Sequence, residues 1–288
     1  MLDPKKYTLK RALRPFSYSV AIITCGLGVL LAYRDGLGDD LRAMAVMVAG
    51  ILLQVAVNLL NNHSDRTLWE QASVSEYPQK LQVLSIIQQH TLWGGGAAGI
   101  AVLIGLWLTW QVGWGILLLG AVGLVGGYGY TGEPINYKAR GLGVPCVFWL
   151  MGILMVAGAY YAVAGEWKYT VMLEAIPVSV LSALLLLSNE IRDIDVDEQQ
   201  GMQTLTVRWG LQCSLGLYYG LLLICYVTSV LMWYWGKLLT VYWLVVPLLL
   251  LPGLLTLLKK ELKDRYQLPP KTGLFFLVFG VAYSLALY

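Results

Sequence analysis

The sequence predicts an all-α fold, a polytopic membrane protein built as a bundle of nine transmembrane helices, and three observations carry that expectation. Of 288 residues, 58% are hydrophobic and 13% charged, whereas soluble globular chains run about 45–50% apolar and about 25% charged. A mean hydropathy of +0.64 agrees, and too little polar side chain remains to coat a water-facing surface. The apolar residues also fall into nine runs near the ~20 residues that a helix needs to cross the hydrocarbon core. Finally, Lys and Arg gather in alternate connections, as they do in polytopic membrane proteins.

The elements follow in order. The first span, 16–33, comes after a basic stretch with no small-residue cleavage site behind it, so it reads as a retained anchor rather than a signal peptide. The second, 41–60, runs into a polar segment. Spans 92–111 and 113–130 turn around beside Trp107, Trp110 and Trp114, an interfacial belt. Span 144–164 leads to 171–188, whose end is strongly acidic. Spans 214–235 and 239–258 turn around within a second belt, Trp233, Trp235 and Trp243, and 271–288 closes the chain. With no linker or low-complexity tract, residues 1–288 read as one transmembrane domain.

The cations set the orientation. The N-terminus holds Lys5, Lys6, Lys10, Arg11 and Arg14, and the connections after spans 2, 4, 6 and 8 hold eleven more Lys or Arg. The opposite side has only Arg34, Arg42, Lys168 and Lys237. The N-terminus and even-numbered loops are therefore expected in the cytoplasm and the C-terminus outside. A net charge of +3, scattered between apolar runs, excludes a nucleic-acid footprint. The four cysteines are far apart, with no CxxC and only two histidines, which argues against a disulfide framework or a zinc site.

The chemistry-bearing residues sit where the second and sixth spans enter cytoplasmic loops. In QVAVNLLNNHSDR, Gln54, Asn58, Asn61, Asn62 and Asp65 follow i, i+4, i+7, i+8, i+11 and make one polar face. In SNEIRDIDVDE, Asn189, Asp193 and Asp197 stack at successive i+4 steps. Polar groups at membrane depth face a bundle interior, and carboxylates at a helix C-terminus oppose the macrodipole. A bound cation relieves that repulsion, and carboxylate and amide oxygens suit Mg²⁺ or Ca²⁺. The same spacing also fits a solvated acidic loop that caps a span. The loop YTGEPINYKARGLG adds Lys138 and Arg140, and Arg192 and Arg208 flank the second stripe. These cations fit either phosphate binding or anchoring at the membrane face.

The segment Asn189–Gly210, NEIRDIDVDEQQGMQTLTVRWG, resembles the second aspartate-rich motif of the UbiA superfamily of intramembrane prenyltransferases, and Asn61 with Asp65 is similar to a variant of its first. Tyr128–Gly143, YGYTGEPINYKARGLG, is similar to the corresponding loop of the 1,4-dihydroxy-2-naphthoate branch. Asn62, Met202 and Val144 stand where that family usually carries an acid, a lysine and an acid.

The resemblance implies transfer of a polyprenyl group from its diphosphate to an aromatic acceptor within a bilayer, with Mg²⁺ as cofactor. Asn189, Asp193 and Asp197 would hold one Mg²⁺, and Asn61 with Asp65 another. Asn58, Asn61, Arg66, Tyr128, Lys138, Arg140, Arg192 and Arg208 would bind substrate, and Tyr128 or Tyr130 would shield the allylic cation. Asp65, Asp193, Asp197 and Tyr130 are thus the expected catalytic set. The implied acceptor is 1,4-dihydroxy-2-naphthoate, as in menaquinone biosynthesis, and the implied location a bacterial inner membrane. Other readings remain: a 4-hydroxybenzoate or homogentisate acceptor, an ion-coupled carrier using the acidic stripes, or a relative that binds isoprenoid without turnover.

Overall fold

In hydrocarbon a backbone must satisfy its own N–H and C=O groups, so long apolar runs fold as helices. The computed structural model describes residues 3–288 except 74 and 76, with the side chains of Ser64, Leu262 and Lys263 outside that description. Every regular element among the described residues is helical. A 3-10 turn at Pro4–Tyr7, a short α1 (Leu9–Leu13) and a second 3-10 turn at Pro15–Ser17 lead into α2 (Tyr18–Arg34). α3 (Asp40–Leu60) is capped by Asp39, whose carboxylate accepts the Arg42 N–H at 2.8 Å. It continues through a 3-10 turn, Asn61–Asp65, into α4 (Arg66–Gln71).

α5 (Lys80–Val112) and α6 (Trp114–Thr131) form the next hairpin. α7 (Gly143–Val147) passes through a π-helical stretch, Phe148–Leu154, into α8 (Met155–Ala164). α9 (Tyr169–Glu174) precedes α10 (Ile176–Gln199), and α11 (Leu205–Tyr234) follows. A 3-10 segment, Tyr242–Leu250, leads into α12 (Leu251–Leu258), and a 3-10 turn, Leu262–Gln267, into α13 (Leu268–Ala286).

Seven helical stretches among the described residues are long and apolar enough to cross a membrane: 9–34, 40–71, 80–112, 114–131, 143–164, 205–234 and 264–286. The other two predicted spans differ in kind. The sixth is α10, whose apolar run continues without a break into the acidic stripe. The eighth is 3-10 before it is α, with Pro247 inside the 3-10 segment and Pro252 in the first turn of α12, where missing N–H donors interrupt an α-helical ladder.

Two boundaries also move. Hydropathy placed the third span at 92–111, yet α5 starts at Lys80 because Val83 and Ile87, one turn apart, pack on Tyr7 and Trp69. Similarly, α11 begins at Leu205, nine residues before the apolar run, and is kinked at Gly210 (φ +77°, ψ 163°).

α10 is the buried axis of the bundle, with Val178, Leu181, Leu184, Leu187 and Ile191 all at 0% exposure. α6 by contrast turns Leu117, Leu118, Val122 and Val125 outward, as a lipid-facing helix does. α2 lies against α8 so closely that a Cβ on Gly28 would meet the Val156 carbonyl oxygen at 2.4 Å, the small-residue packing that membrane helices use. Beyond the C-terminal end of α2, the buried Glu174 accepts from Arg34 at 2.6 Å, and Asp35 accepts from Tyr160 and Lys168. Burial alone would raise the Asp35 carboxyl, but the Lys168, Tyr160 and Arg34 partners hold it below its ordinary value. Three of the four cations counted on that side, Arg34, Arg42 and Lys168, are thus ion-paired.

Candidate active site

The last turns of α10, beyond the apolar run ending at 188, carry the second stripe. Asn189 is half-buried and its Nδ2 donates to the Leu185 carbonyl at 3.0 Å, which leaves its Oδ1 for a ligand. Asp193 takes Arg192 through Nε and Nη2, both at 2.6 Å. Asp197 is 4% exposed. Burial raises its carboxyl above the ordinary value, with Lys138 pulling the other way and Asp193 adding to the rise. The two aspartates thus lie one turn apart, Asp193 paired with Arg192 and Asp197 within reach of Lys138.

The loop after α6 brings the counter-charge. Tyr137 donates its N–H to the Gly129 carbonyl at 2.9 Å and its hydroxyl to the Gly126 carbonyl at 2.8 Å, pinning the loop to α6. Gly141 takes φ +76° where the chain turns back, and a Cβ there would lie 2.7 Å from Arg208 Cδ; glycine alone permits both the turn and the close approach. Lys138 thereby comes within electrostatic reach of Asp197 and Glu190. Arg208 donates to the Gln203 carbonyl at 3.0 Å, and Arg140 to the Pro134 carbonyl. Tyr130 packs edge-on against Tyr137, and the charges of Arg14, Glu190 and Asp197 all reach it. Tyr128 is exposed and donates to the Glu133 carbonyl at 2.8 Å.

The first stripe is engaged differently. Asn58, 3% exposed, donates to the Leu13 carbonyl at 2.7 Å and to Ser17 Oγ at 2.8 Å, and so holds the turn before α2. Asn62 is buried against His90, with Nδ2 3.2 Å from Nδ1. Asp65 receives Lys6 Nζ at 2.6 Å and the Tyr7 hydroxyl at 2.8 Å, both on Oδ2. The Trp69 indole N–H in turn donates to the Tyr7 oxygen at 3.0 Å, while burial and the Asp65 charge push the Tyr7 phenol up. Arg66 is paired with Glu70 at 2.7 Å, and Asn61 is half-buried.

Among the described residues, no hydrogen bond or ion pair joins Asp65 or Asn61 to the second stripe. The link runs through the N-terminal turn: Leu13 is held by Asn58, and the neighbouring Arg14 reaches Tyr130.

Sequence reasoning passed over four contributors. Lys6, Tyr7 and Trp69 clamp Asp65 from up to 59 residues away, and no local pattern marks them. Glu190 did carry a signal, an acid inside the second stripe. It is 2% exposed, its Oε2 accepts the Thr206 N–H at 3.1 Å, and its Oε1 is buried without a partner. Burial lifts this carboxyl from 4.5 to about 7, against the opposing Thr206 hydrogen bond.

The donor set suits a hard divalent cation. Among the described residues no three His, Cys, Asp or Glu side chains cluster as a metal cage, but Mg²⁺ takes one or two carboxylates and completes its shell with water and substrate phosphate. Asp193, Asp197 and the Asn189 amide oxygen are donors of that kind, with both Asp193 oxygens taken by Arg192 here. At the first stripe, Asp65 Oδ1 and Asn61 remain once Lys6 and Tyr7 have taken Oδ2. An apolar groove of about 500 Å³, lined by Phe148, Trp149, Ile153, Tyr169 and Ile176 among others, contains none of the candidate residues.

Comparison with known proteins gives the family. The sequence model of the UbiA prenyltransferase family matches residues 21–280. A Bacillus subtilis protein named 1,4-dihydroxy-2-naphthoate octaprenyltransferase is 28% identical over 203 residues, 68% of this chain and 64% of that protein, just under two thirds of its length. A Mycobacterium leprae protein of the same name is 26% identical over 85% of this chain and 84% of its own. The mouse UbiA prenyltransferase domain-containing protein 1 is 29% identical over 94% of this chain and 81% of its own. A solved structure described as a digeranylgeranylglyceryl phosphate synthase superposes with a TM-score of 0.57 over 98% of this chain and 97% of that one, at 14% identity, and so shares the fold.

Proposed function

Because the chain belongs to the UbiA prenyltransferase family, an integral membrane family, we propose that it transfers a polyprenyl group from an allylic diphosphate to 1,4-dihydroxy-2-naphthoate at the cytoplasmic face of a bacterial inner membrane. The observation that carries this reading is the acidic face of α10, Asn189, Asp193 and Asp197, set opposite Lys138. The names of the Bacillus and Mycobacterium relatives and the wording of the Tyr128–Gly143 loop support the acceptor. Seven long spans together with α10 and the Tyr242–Leu258 segment make nine crossings, with the N-terminus and the polar loops on the cytoplasmic side.

When bound, Mg²⁺ supplies charge neutralisation for the departing diphosphate; Asn189, Asp193 and Asp197 would hold one ion, and Asn61 and Asp65 another. Lys138, Arg192 and Arg208 bind the diphosphate oxygens, joined by Arg66 and Arg140 as these exchange Glu70 and the Pro134 carbonyl for substrate. Asn58 serves from behind, by fixing Leu13 and Ser17.

The allylic C–O bond breaks, the diphosphate leaves with the electron pair, and the faces of Tyr128 and Tyr130 shield the resulting cation. A ring carbon of the acceptor forms the new C–C bond. Loss of the carboxylate as CO2 from the attacked carbon leaves its bonding electrons in the ring, restores aromaticity and gives a demethylmenaquinol-type product, the reduced form of the quinone. The apolar tail stays among the helices, so it never crosses water.

The test is an assay of membranes holding the protein with a labelled prenyl diphosphate, Mg²⁺ and three acceptors. Preference for dihydroxynaphthoate supports the reading. Preference for 4-hydroxybenzoate or homogentisate refutes the acceptor, and no transfer to any of the three refutes the activity.

A further inference from the structure

The proposed reaction brings two anionic groups to the site, a diphosphate and the carboxylate of the acceptor, and the residues assigned above attend only the first. Arg14 has no part in that assignment. The other cations of the N-terminal segment, Lys5, Lys6, Lys10 and Arg11, are exposed, as anchors at a membrane face are. Arg14 is half-buried. Arg66, Arg140, Arg192 and Arg208 are each held by a carboxylate or a carbonyl. The Arg14 guanidinium makes no hydrogen bond or ion pair among the described residues, so its fork of five N–H donors is open to a ligand.

The backbone under it is fixed. Arg14 takes φ +46° and ψ 67°, a left-handed conformation uncommon for any residue but glycine. Its N–H donates to the Arg11 carbonyl at 3.3 Å, and its carbonyl accepts from the Ser17 N–H at 2.8 Å and the Ser17 hydroxyl at 2.9 Å. Asn58 ties Leu13 and Ser17, on either side, to α3. From that corner the Arg14 charge reaches Tyr130, which the charges of Glu190 and Asp197 also reach. Tyr130 lies within the Tyr128–Gly143 segment that supports the acceptor. An aromatic carboxylate brought to this tyrosine would be repelled by the two acids, and the Arg14 guanidinium offsets them there. Its planar fork also matches a carboxylate bidentately, which an ammonium does not.

We propose that Arg14 receives the carboxylate of the aromatic acceptor and so selects hydroxylated aromatic acids over the same rings without the acid. The inference rests on the prenyl-transfer reading for the presence of such an acceptor.

The experiment is calorimetric titration of the detergent-purified full chain with 1-hydroxy-2-naphthoate and with 1-naphthol, probes that differ by the carboxylate alone and need no turnover. Wild type should bind the acid at least tenfold more tightly, a difference of about 1.4 kcal/mol. Arg14→Gln should bring the acid down to the affinity of 1-naphthol, with binding of 1-naphthol and of a prenyl diphosphate unchanged. Equal wild-type affinities, or a preference that survives in Arg14→Gln, overturn the proposal. An equal loss for both probes would show a packing role, and a loss for the prenyl diphosphate alone would move Arg14 to the diphosphate; each also overturns it. Should Arg14→Gln fail to fold, the wild-type chain still decides: the acid, and not 1-naphthol, should protect Arg14 from phenylglyoxal, with the modified residue located by mass spectrometry. No protection by the acid overturns the site. Selective binding of the acid without prenyl transfer to any acceptor would refute the proposed function and leave this site standing.

Discussion

Replacing Glu190 by Gln removes the titrating proton from a carboxyl that is 2% exposed, while the amide oxygen can still accept the Thr206 N–H. Burial places this group at about 7 in the folded chain against 4.5 otherwise. That interval, at about 1.4 kcal/mol per pH unit, amounts to about 3 kcal/mol. The folded chain holds the proton more tightly than the unfolded one. The contribution to stability is therefore complete below pH 4.5 and is lost as pH rises through about 7. The assay is thermal unfolding in detergent and EDTA, at pH 5 and pH 8, for wild type and Glu190→Gln. Wild type should lose roughly 5 °C more than the variant across that window, since 1 kcal/mol moves the midpoint by about 2–4 °C in chains approaching this size. Parallel curves for the two proteins would show that Glu190 ionises freely and that its burial carries no charge penalty.

Three further outcomes follow from the site. Asp193→Ala and Asp197→Ala should each lower turnover by at least about a hundredfold, the loss of several kcal/mol of charge stabilisation, with insertion intact; near-wild-type rates at saturating Mg²⁺ would dismiss the metal site on α10. Tyr7→Phe removes the hydroxyl that bridges Trp69 and Asp65 and should destabilise the chain by about 1.5–3 kcal/mol, the range for a hydrogen bond to a charged group, seen as a lower unfolding midpoint. Asn62→Asp should leave prenyl transfer within tenfold of wild type, because Asn62 is turned toward His90; a gain from no activity would instead mark the native chain as a non-catalytic relative.

The parts of the fold that hydropathy reveals are those where lipid is the partner. α6 meets few protein neighbours, so its predicted bounds, 113–130, differ by one residue from Trp114–Thr131. Where protein is the partner, hydropathy is blind. The first turns of α5 read as polar loop because Gln82, Gln88 and Gln89 interrupt the run, yet Val83 and Ile87 bury against Trp69 at 0–3% exposure. The eighth span reads as continuous because leucines fill it, and only its prolines foretell the 3-10 geometry of Tyr242–Leu250.

The two polar stripes obey the same i+4 rule, and the rule was informative for one and incomplete for the other. Asn189, Asp193 and Asp197 share a single helix, so their juxtaposition is fixed by backbone periodicity alone and was legible without knowing any partner. Periodicity placed Asn58 and Asp65 on one face equally well, but the face has an occupant: Leu13, Ser17, Lys6 and Tyr7, which arrive from 41 to 59 residues upstream. Lys6 is an exposed cation on a short 3-10 turn, and an ammonium at 2.6 Å supplies to Asp65 the same kind of charge that a metal would. Only the Lys6 end of this pair is well exposed, at 48% against 17% for Asp65, so it is the ammonium that can swing out to water. On the proposed function, Lys6 would give way to Mg²⁺ and substrate at Asp65, and until then the N-terminal turn neutralises that carboxylate.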